Sequence, residues 1–303
     1  MSWIVFATLA PALYAASTFI DRFLVEKKIR DYLFLSILSG GVALAAGAIL
    51  FVVRGFPVLD PVYATIILIS GILFEIALVP YYRAISLEDA SRVAPLFQVI
   101  PVFVLILSYF ILHEAPTAYE FIGFLFLIGG AFALGREEGG TGFFKVDAFF
   151  WYAMLAAFLY AVPGVLFKFV LGYANFWDTL AYEFLGGALG SIPLILLRAA
   201  DPEHDGSDLR ALSSQVWALI ISNELIYVIA RFFTFYAIML APVYLVSAVG
   251  SIGPVFVFLY GIAFSLWFPA IIREDLRREA LIKKCLAIAV IVIGALLLNA
   301  GGL

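Results

Sequence analysis

Hydrophobic residues fill long stretches of this chain, and polar residues collect in the short links between those stretches. A membrane core of about 30 Å is crossed by a helix of about 20 apolar residues. Ten segments of that kind follow one another, at 3–24, 32–53, 61–83, 90–112, 117–135, 148–171, 177–198, 215–238, 241–265 and 282–300. They are apolar on every side, whereas membrane strands alternate apolar and polar residues. The pattern predicts an all-α membrane protein with ten transmembrane helices.

The composition of the chain supports this interpretation. Hydrophobic residues make up 65% of it and charged residues 13%, with a mean hydropathy of +1.09, whereas an average soluble domain has about 25% charged residues. Cys285 is the only cysteine, and His113 and His204 lie far apart. We therefore expect no disulfide, metal or cofactor. The net charge of −4 offers no basic surface for nucleic acid. The expected partners are the lipid bilayer and a small molecule, with the chain as a monomer or homodimer.

The two halves of the chain share one sequence plan. Three matches recur in the same order: Leu-Tyr-Ala at 13–15 and 159–161, Gly-Gly at 40–41 and 186–187, and PVFV at 101–104 and 254–257. Because each half has five helices, an odd number, the second copy enters the membrane from the opposite side. The sequence thus predicts two inverted-topology five-helix repeats, 1–135 and 148–303, joined by a linker at 136–147.

The stretch 95–134, PLFQVIPVFVLILSYFILHEAPTAYEFIGFLFLIGGAFAL, resembles the EamA-type branch of the drug/metabolite transporter superfamily. Pro101, the acidic loop His113-Glu114 and the pair Gly129-Gly130 match that family's proline-centred helix 4, acidic loop and glycine-rich helix 5. The likeness extends over essentially the whole chain. It implies a ten-helix transporter of amino acids, nucleobase-like compounds, related metabolites or drugs, with the fifth and tenth helices outside the cavity.

The basic residues are distributed unevenly between the two sides of the predicted bundle. Of the 18 Lys and Arg residues, 15 lie near the junctions between segments 1–2, 3–4, 5–6, 7–8 and 9–10, and only Arg54, Lys168 and Arg231 lie elsewhere. An excess of basic residues on the cytoplasmic side predicts that both termini lie outside, whereas members of the resembled family usually have cytoplasmic termini. We predict an integral protein of a prokaryotic inner membrane and favour the orientation that the charges indicate.

Two carboxylates at membrane depth are the first candidates for chemistry. Polar side chains there are costly and usually face the protein interior or a water-filled cavity. Glu75 and Tyr82 share a face of segment 3, and Glu224, Tyr227 and Arg231 share a face of segment 8. A buried carboxylic acid can take up and release a proton during a transport cycle. We therefore predict a substrate or coupling-ion role for both acids, with either acid as the partner of the arginine. A neutral or ion-paired structural role is the alternative.

Each repeated proline has a polar residue three positions before it, Gln98 before Pro101 and Ser251 before Pro254. Proline lacks an N–H and clashes with the preceding turn, so it kinks a helix and frees the carbonyl four residues earlier. We predict two helix kinks that place free carbonyls beside these polar side chains, as a substrate-binding place between the halves. Simple shaping of the helix packing is an equal alternative.

Four further residues carry weaker signals. The repeat relates Tyr14 to Tyr160, and both are candidates for the wall of a cavity, although packing would explain them equally well. Asp21 lies next to Arg22, which predicts a local ion pair near the membrane interface. Glu183 lies within segment 7, where a structural and a functional role are both open.

These patterns favour a secondary active transporter that moves a small organic metabolite or drug, amino-acid-like or amphipathic, by alternating access, with proton coupling as an option. The chain has no Walker loop for ATP. A lipid translocator or scramblase would look similar in sequence. An intramembrane enzyme is the weaker alternative, because no HExxH helix, Ser/His pair or similar reactive cluster is found, and we expect no enzymatic activity.

Overall fold

The structure, a computed structural model, describes residues 2–27, 32–87, 94–135, 148–199, 212–267 and 278–301. Within these ranges the chain forms twelve α-helices, one 3₁₀ helix at Ala94–Val99, and no strand. The α-helices are α1 (Trp3–Lys27), α2 (Tyr32–Val53), α3 (Pro61–Ile76), α4 (Leu78–Leu87), α5 (Ile100–Leu112), α6 (Ala118–Gly135), α7 (Ala148–Leu171), α8 (Phe176–Ala199), α9 (Ser214–Leu240), α10 (Val243–Gly250), α11 (Gly253–Trp267) and α12 (Arg278–Gly301). The predicted all-α class is confirmed.

Seven helical stretches of the described part are long and apolar enough to cross a membrane: Trp3–Asp21, Leu33–Val53, Pro61–Tyr81, Ala148–Leu171, Phe176–Ala199, Ser214–Leu240 and Val243–Ala263. Two further apolar helices, Leu96–Leu112 and Ala118–Ala133, are shorter. These nine correspond to the predicted segments 1 to 9, and α12 corresponds to segment 10. The number of crossings and the inverted relation of the halves stay predictions.

Local capping explains where several of these helices begin. Asp60 precedes α3 and accepts a hydrogen bond from the backbone N–H of Val62 at 2.9 Å, while Pro61 takes the first helical position, where no N–H is needed. Before α6, the carboxylate of Glu120 accepts from the N–H of Thr117 at 2.7 Å, and the Thr117 hydroxyl accepts from the N–H of Glu120 at 3.3 Å. This reciprocal pair is a capping box, which satisfies donors that a helix start leaves free.

The backbone departs from a regular α-helix just before each repeated proline. Pro101 is in the first turn of α5, directly after the 3₁₀ helix, and Pro254 is the second residue of α11. Before α11 the chain makes tight turns, in which the N–H of Ser251 donates to the carbonyl of Ala248 and that of Ile252 to Val249. Proline is tolerated in a first helical turn but not in the interior. The kinks themselves stay predictions.

Glycines bring α3 and α8 into direct backbone contact. A Cβ on Gly71 would lie 2.2 Å from the carbonyl oxygen of Glu183, and one on Gly186 would lie 2.4 Å from that of Leu68. A Cβ on Gly190 would meet the Cβ of Glu75 at 2.7 Å. Small residues permit such close approach between membrane helices, where the lipid gives no hydrophobic drive for association. The contact sets Glu183 at the level of Gly71 and Glu75 at the level of Gly190, so the two acidic residues lie on facing helices about one turn apart.

The remaining helices pack in a pattern that pairs one half of the chain with the other. α1 lies along α9 and also contacts α10 and α11, while α7 lies along α3 and α4 and also contacts α5. α6 packs against α12, where Gly123 and Gly294 each approach so closely that a Cβ would lie 2.8 Å from the other's carbonyl oxygen. Helices of the two halves thus pack against one another, and α6 pairs with α12 while also contacting the 3₁₀ helix, α10 and α11.

Charged side chains from two other elements bridge the gap between α9 and α10. Lys168 of α7 donates from Nζ to the carbonyls of Ile238 at 2.7 Å and Ala241 at 3.0 Å. Glu114, in the loop after α5, accepts a hydrogen bond from the backbone N–H of Val243 at 2.9 Å. A cation at a helix C-terminus and an anion at a helix N-terminus both match the helix dipoles. We call these two side chains and their backbone partners the helix-end clamp.

Candidate functional site

A cavity of about 400 Å³ lies inside the bundle, between α1, α5, α7, α9, α10 and α11. Its volume is in the range that binds small organic ligands in other proteins. Most of its wall is apolar. Eight of the residues singled out in the sequence line it: Tyr14, Gln98, Pro101, Tyr160, Tyr227, Arg231, Ser251 and Pro254.

The three other candidates do not form part of this wall as the structure describes it. Glu75 lies directly behind Phe74, which does line the cavity. Glu224 lies on α9 beyond Tyr227, away from the lining residues. Tyr82 lies in α4, but its side chain is outside the described part of the structure.

Arg231 is the one charged residue of the lining and is held in place from behind. Its Nη2 donates to Oε1 of Glu183 at 2.9 Å, and both side chains are almost completely buried, with 4% and 0% exposure. The guanidinium carbon lies 4.0 Å from the ring centre of Phe74 and 5.2 Å from that of Phe184. Arginine is suited to such buried, stacked positions because its planar charge is weakly hydrated.

The pairing of Arg231 with Glu183 corrects our expectation that Glu75 or Glu224 would be its partner. Glu224 lies seven residues earlier on the same helix, which is about 10 Å along the axis and too far for a direct ion pair. Gly187, one turn after Glu183 on α8, leaves room for the guanidinium, because a Cβ there would lie 3.4 Å from Nη1 of Arg231. The sequence does show an acid inside segment 7, but its partner depends on which helices touch.

Glu75 completes a group of three buried charges, which we call the central cluster: Glu75, Glu183 and Arg231. Glu75 is 1% exposed and interacts electrostatically with the guanidinium. The hydroxyl of Ser70 also lies beside Glu183, but it donates to the carbonyl of Pro163 at 3.2 Å.

The central cluster leaves three buried polar atoms without a hydrogen-bond partner among the described residues. They are Oε1 of Glu75, Oε2 of Glu183 and Nε of Arg231. Buried polar atoms are normally paired, because an unpaired one loses its hydration without a replacement. A cluster in this state has bonding capacity left for a proton or for a polar group of a ligand.

Aromatic rings surround the cavity next to the central cluster. Tyr14 packs against Tyr227 with ring centres 5.3 Å apart, and Phe74 against Tyr160 at 5.4 Å, both edge-to-face. The ring of Phe74 also lies 6.2 Å from that of Tyr227. Tyrosine combines an apolar ring with a hydroxyl that forms hydrogen bonds. Such a wall suits an organic molecule with an apolar body and few polar groups.

Asp21 and Glu224 belong to a second polar group, between α1, α2 and α9. Asp21 accepts a hydrogen bond from Nδ2 of Asn223 at 2.7 Å. Glu224 lies close to Asp21 and to the hydroxyl of Ser39. The predicted local pair of Asp21 with Arg22 involves a side chain that lies outside the described part of the structure, so it stays a prediction. Within the described ranges no three His, Cys, Asp or Glu side chains come together as a metal site.

Comparison with known proteins adds the family. Residues 1–136 match the family model described as the EamA-like transporter family. This part of the chain is similar to the EamA-like transporters. The resemblance that the sequence suggested is confirmed over residues 1–136.

The fold has a counterpart among solved structures. A protein of known crystal structure superposes with a TM-score of 0.72 over 98% of both chains, at 16% sequence identity. At that identity the likeness concerns the fold alone. No curated protein matches the chain.

Proposed function

We propose that this EamA-like protein is a secondary active transporter that moves a small organic metabolite or drug, amino-acid-like or amphipathic, by alternating access. The observation that carries the proposal is the interior cavity, which is apolar, lined by tyrosines, and supplied with a single guanidinium. Small-molecule sites commonly combine an apolar wall with a few fixed polar groups. Such a wall accepts amino-acid-like and amphipathic molecules alike.

Helix packing supports the proposed inverted repeat. Segment 1 corresponds to segment 6, so α1 corresponds to α7. α1 packs on α9, and α7 packs on α3 and α4, the corresponding helices of the other half. Likewise α1 contacts α10 and α11, while α7 contacts α5. Related helices therefore make related contacts around the cavity, as in transporters whose two repeats rock about a central binding site.

The two halves differ in one related pair of contacts. α3 packs closely along α8, whereas the corresponding contact of α9 with α2 is slight. In an inverted-repeat transporter, exchanging the conformations of the two repeats exchanges the side on which the site is open. We propose that tightening of α9 against α2, with loosening of α3 from α8, produces the other access state.

The cell location follows from the same proposal. An apolar helical bundle of the EamA-like family is an integral membrane protein, and we place it in a prokaryotic inner membrane. The basic residues near one set of junctions favour termini on the outer side. Cysteine labelling of introduced sites at Ser2 and at Ser214, which is exposed at the start of α9 near a basic junction, with an impermeant reagent would measure this orientation.

Ligand binding to the purified protein tests the function. Thermal unfolding is followed with amino acids, nucleosides, sugars and polyamines, because a ligand at a hundred times its Kd stabilises the native state by about 2.7 kcal/mol. We expect at least one class to raise the melting temperature, and Gln98→Leu, which removes a polar group of the wall, to weaken that effect. Glu120→Gln, which keeps the capping box of α6, serves as the control.

Transport of the stabilising compound is then measured in proteoliposomes, beside a fluorescent phospholipid. Uptake of the solute without lipid movement supports the proposal. Lipid movement with no stabilising solute in the library would replace it by a lipid translocator.

A further inference from the structure

The central cluster contains two acids and one base in a dry part of the bundle. If both carboxyl groups were ionised, the cluster would carry a net negative charge next to apolar helix walls. Removing an uncompensated charge from water is far more costly than binding a proton to it. Charge balance therefore requires one proton for the two carboxyl groups together, in addition to the positive charge of Arg231.

The geometry shows how that proton is held. Glu183 forms the ion pair with Arg231. The Cβ of Glu75 lies against Gly190, one turn along α8 from Gly187, which lies beside the guanidinium, and Glu75 interacts electrostatically with the same guanidinium. Each acid has one oxygen without a partner among the described residues, and so does Nε of the arginine. The guanidinium can therefore pair with either carboxylate while the other one carries the proton.

Within the described ranges, the surroundings contribute no second positive charge. The described groups that interact electrostatically with the central cluster are the phenols of Tyr14 on α1 and Tyr227 on α9, and the carboxyl group of Glu224. Ser70 of α3 supplies a hydroxyl next to Glu183. Phenols are uncharged at neutral pH, and a carboxyl group is neutral or negative, so none of these groups can balance a second carboxylate.

Only the arginine of the cluster reaches the cavity; the two acids lie behind it. A substrate in the cavity thus meets the positive guanidinium of Arg231, and a carboxylate forms paired hydrogen bonds with such a group. When a carboxylate binds there, it adds one negative charge to a cluster that was balanced. A second proton must then bind to the carboxylate whose ion pair with Arg231 the substrate replaces.

We propose that Glu75, Glu183 and Arg231 form a proton-coupling site, in which two carboxyl groups share one proton and take up another when a carboxylate substrate binds Arg231. The substrate and the proton then cross together without net charge. This assignment rests on the proposed transport function, but the shared proton itself can be measured without any substrate.

Infrared difference spectra of the purified full chain near neutral pH count the protonated carboxyl groups. We expect Glu75→Gln and Glu183→Gln each to remove one carboxylic-acid carbonyl band relative to wild type, because one remaining acid pairs with Arg231 as a carboxylate. Glu120→Gln should remove none. Retention of the band in Glu183→Gln would mean that Glu75 holds its proton alone, and retention in both variants would mean that the cluster holds none. Either result overturns the shared proton.

Proton uptake tests the substrate part. Benzoate and hexanoate are added to the protein in weakly buffered solution with a pH indicator, with benzamide and hexanamide as uncharged counterparts. We expect uptake of one proton for each bound acid and none for the amides. Binding of the acids without uptake, or of the amides alone, would overturn the carboxylate role. If the infrared count holds while proteoliposomes transport nothing, the transport function is wrong and the proton site stands.

Discussion

The central cluster is buried and the helix-end clamp is half-buried, and the two use their acidic and basic side chains differently. In the clamp, Lys168 donates to two carbonyls at the end of α9, and Glu114 accepts from the first N–H of α10. In the central cluster, the only direct bond joins Arg231 to Glu183, and three polar atoms have no partner among the described residues.

The charged side chains of the clamp stabilise helix ends, whereas those of the central cluster can still bind a proton or a ligand. A charged group bonded to the orphan backbone groups of a helix end completes the secondary structure and has nothing further to bind. A buried polar group without a hydrogen-bond partner is energetically unfavourable, and a bound proton or ligand can supply the missing partner. We therefore expect the cluster to be more sensitive to mutation than the clamp, and sensitive to ligands as well.

Removing the base of each site gives the largest expected effect. Arg231→Met leaves Glu183 buried without its cation, and breaking a buried ion pair in this way destabilises a protein by roughly 3–5 kcal/mol. Lys168→Met should cost less, because water can replace the ammonium group at a helix end that is only partly buried. Thermal unfolding of both variants in the same detergent measures the difference.

A second variant separates the lost pair from lost packing. Arg231→Met combined with Glu183→Gln removes both charges, so it should recover part of the stability lost in the single variant. A larger loss of stability for Lys168→Met than for Arg231→Met would contradict the expectation that the central cluster is more sensitive to mutation than the clamp.

The intermediate effect concerns the contact that builds the cluster. Gly71→Ala places a methyl group where only 2.2 Å separates it from the Glu183 carbonyl oxygen, so α3 and α8 must move apart. Overpacking of this kind destabilises by roughly 1–3 kcal/mol. Gly41→Ala is the matched control, because nothing lies within 4 Å of the added atom and alanine is the better helix former. Equal melting temperatures for the two variants would show that the close contact is not needed.

Much of the cavity wall could be predicted from the sequence, because helical periodicity and the internal match act together. Tyr14 and Tyr160 are equivalent in the two halves, as are Gln98 and Ser251, and the structure brings all four to one cavity. A residue's face on a helix follows from 3.6 residues per turn. The internal match then places the equivalent residue of the other half on the opposite wall of the cavity.

The partners across helices could not be predicted in the same way. Glu183 of α8 bonds to Arg231 of α9, and the sequence does not state which faces of these two helices meet. The hydrogen bond between Asp21 and Asn223 joins residues 202 positions apart. The 3₁₀ helix before Pro101 and the tight turns before Pro254 could not be predicted either, since a proline alone does not reveal how many hydrogen bonds around it are given up.

The smallest expected effect is the pH dependence of the clamp. Burial raises the pKa of Glu114 above its ordinary value of 4.5, although the N–H of Val243 and the charge of Lys168 oppose the shift. The folded chain then binds this proton more tightly than the unfolded chain, so the contribution is fully present below pH 4.5 and is lost as the pH rises through the folded-state pKa. Glu114→Gln cannot titrate, and its melting temperature should fall less than that of wild type between about pH 4 and pH 8. A steeper fall in the variant would mean that Lys168 and Val243 outweigh burial, and that the clamp is held mainly by the ionised acid.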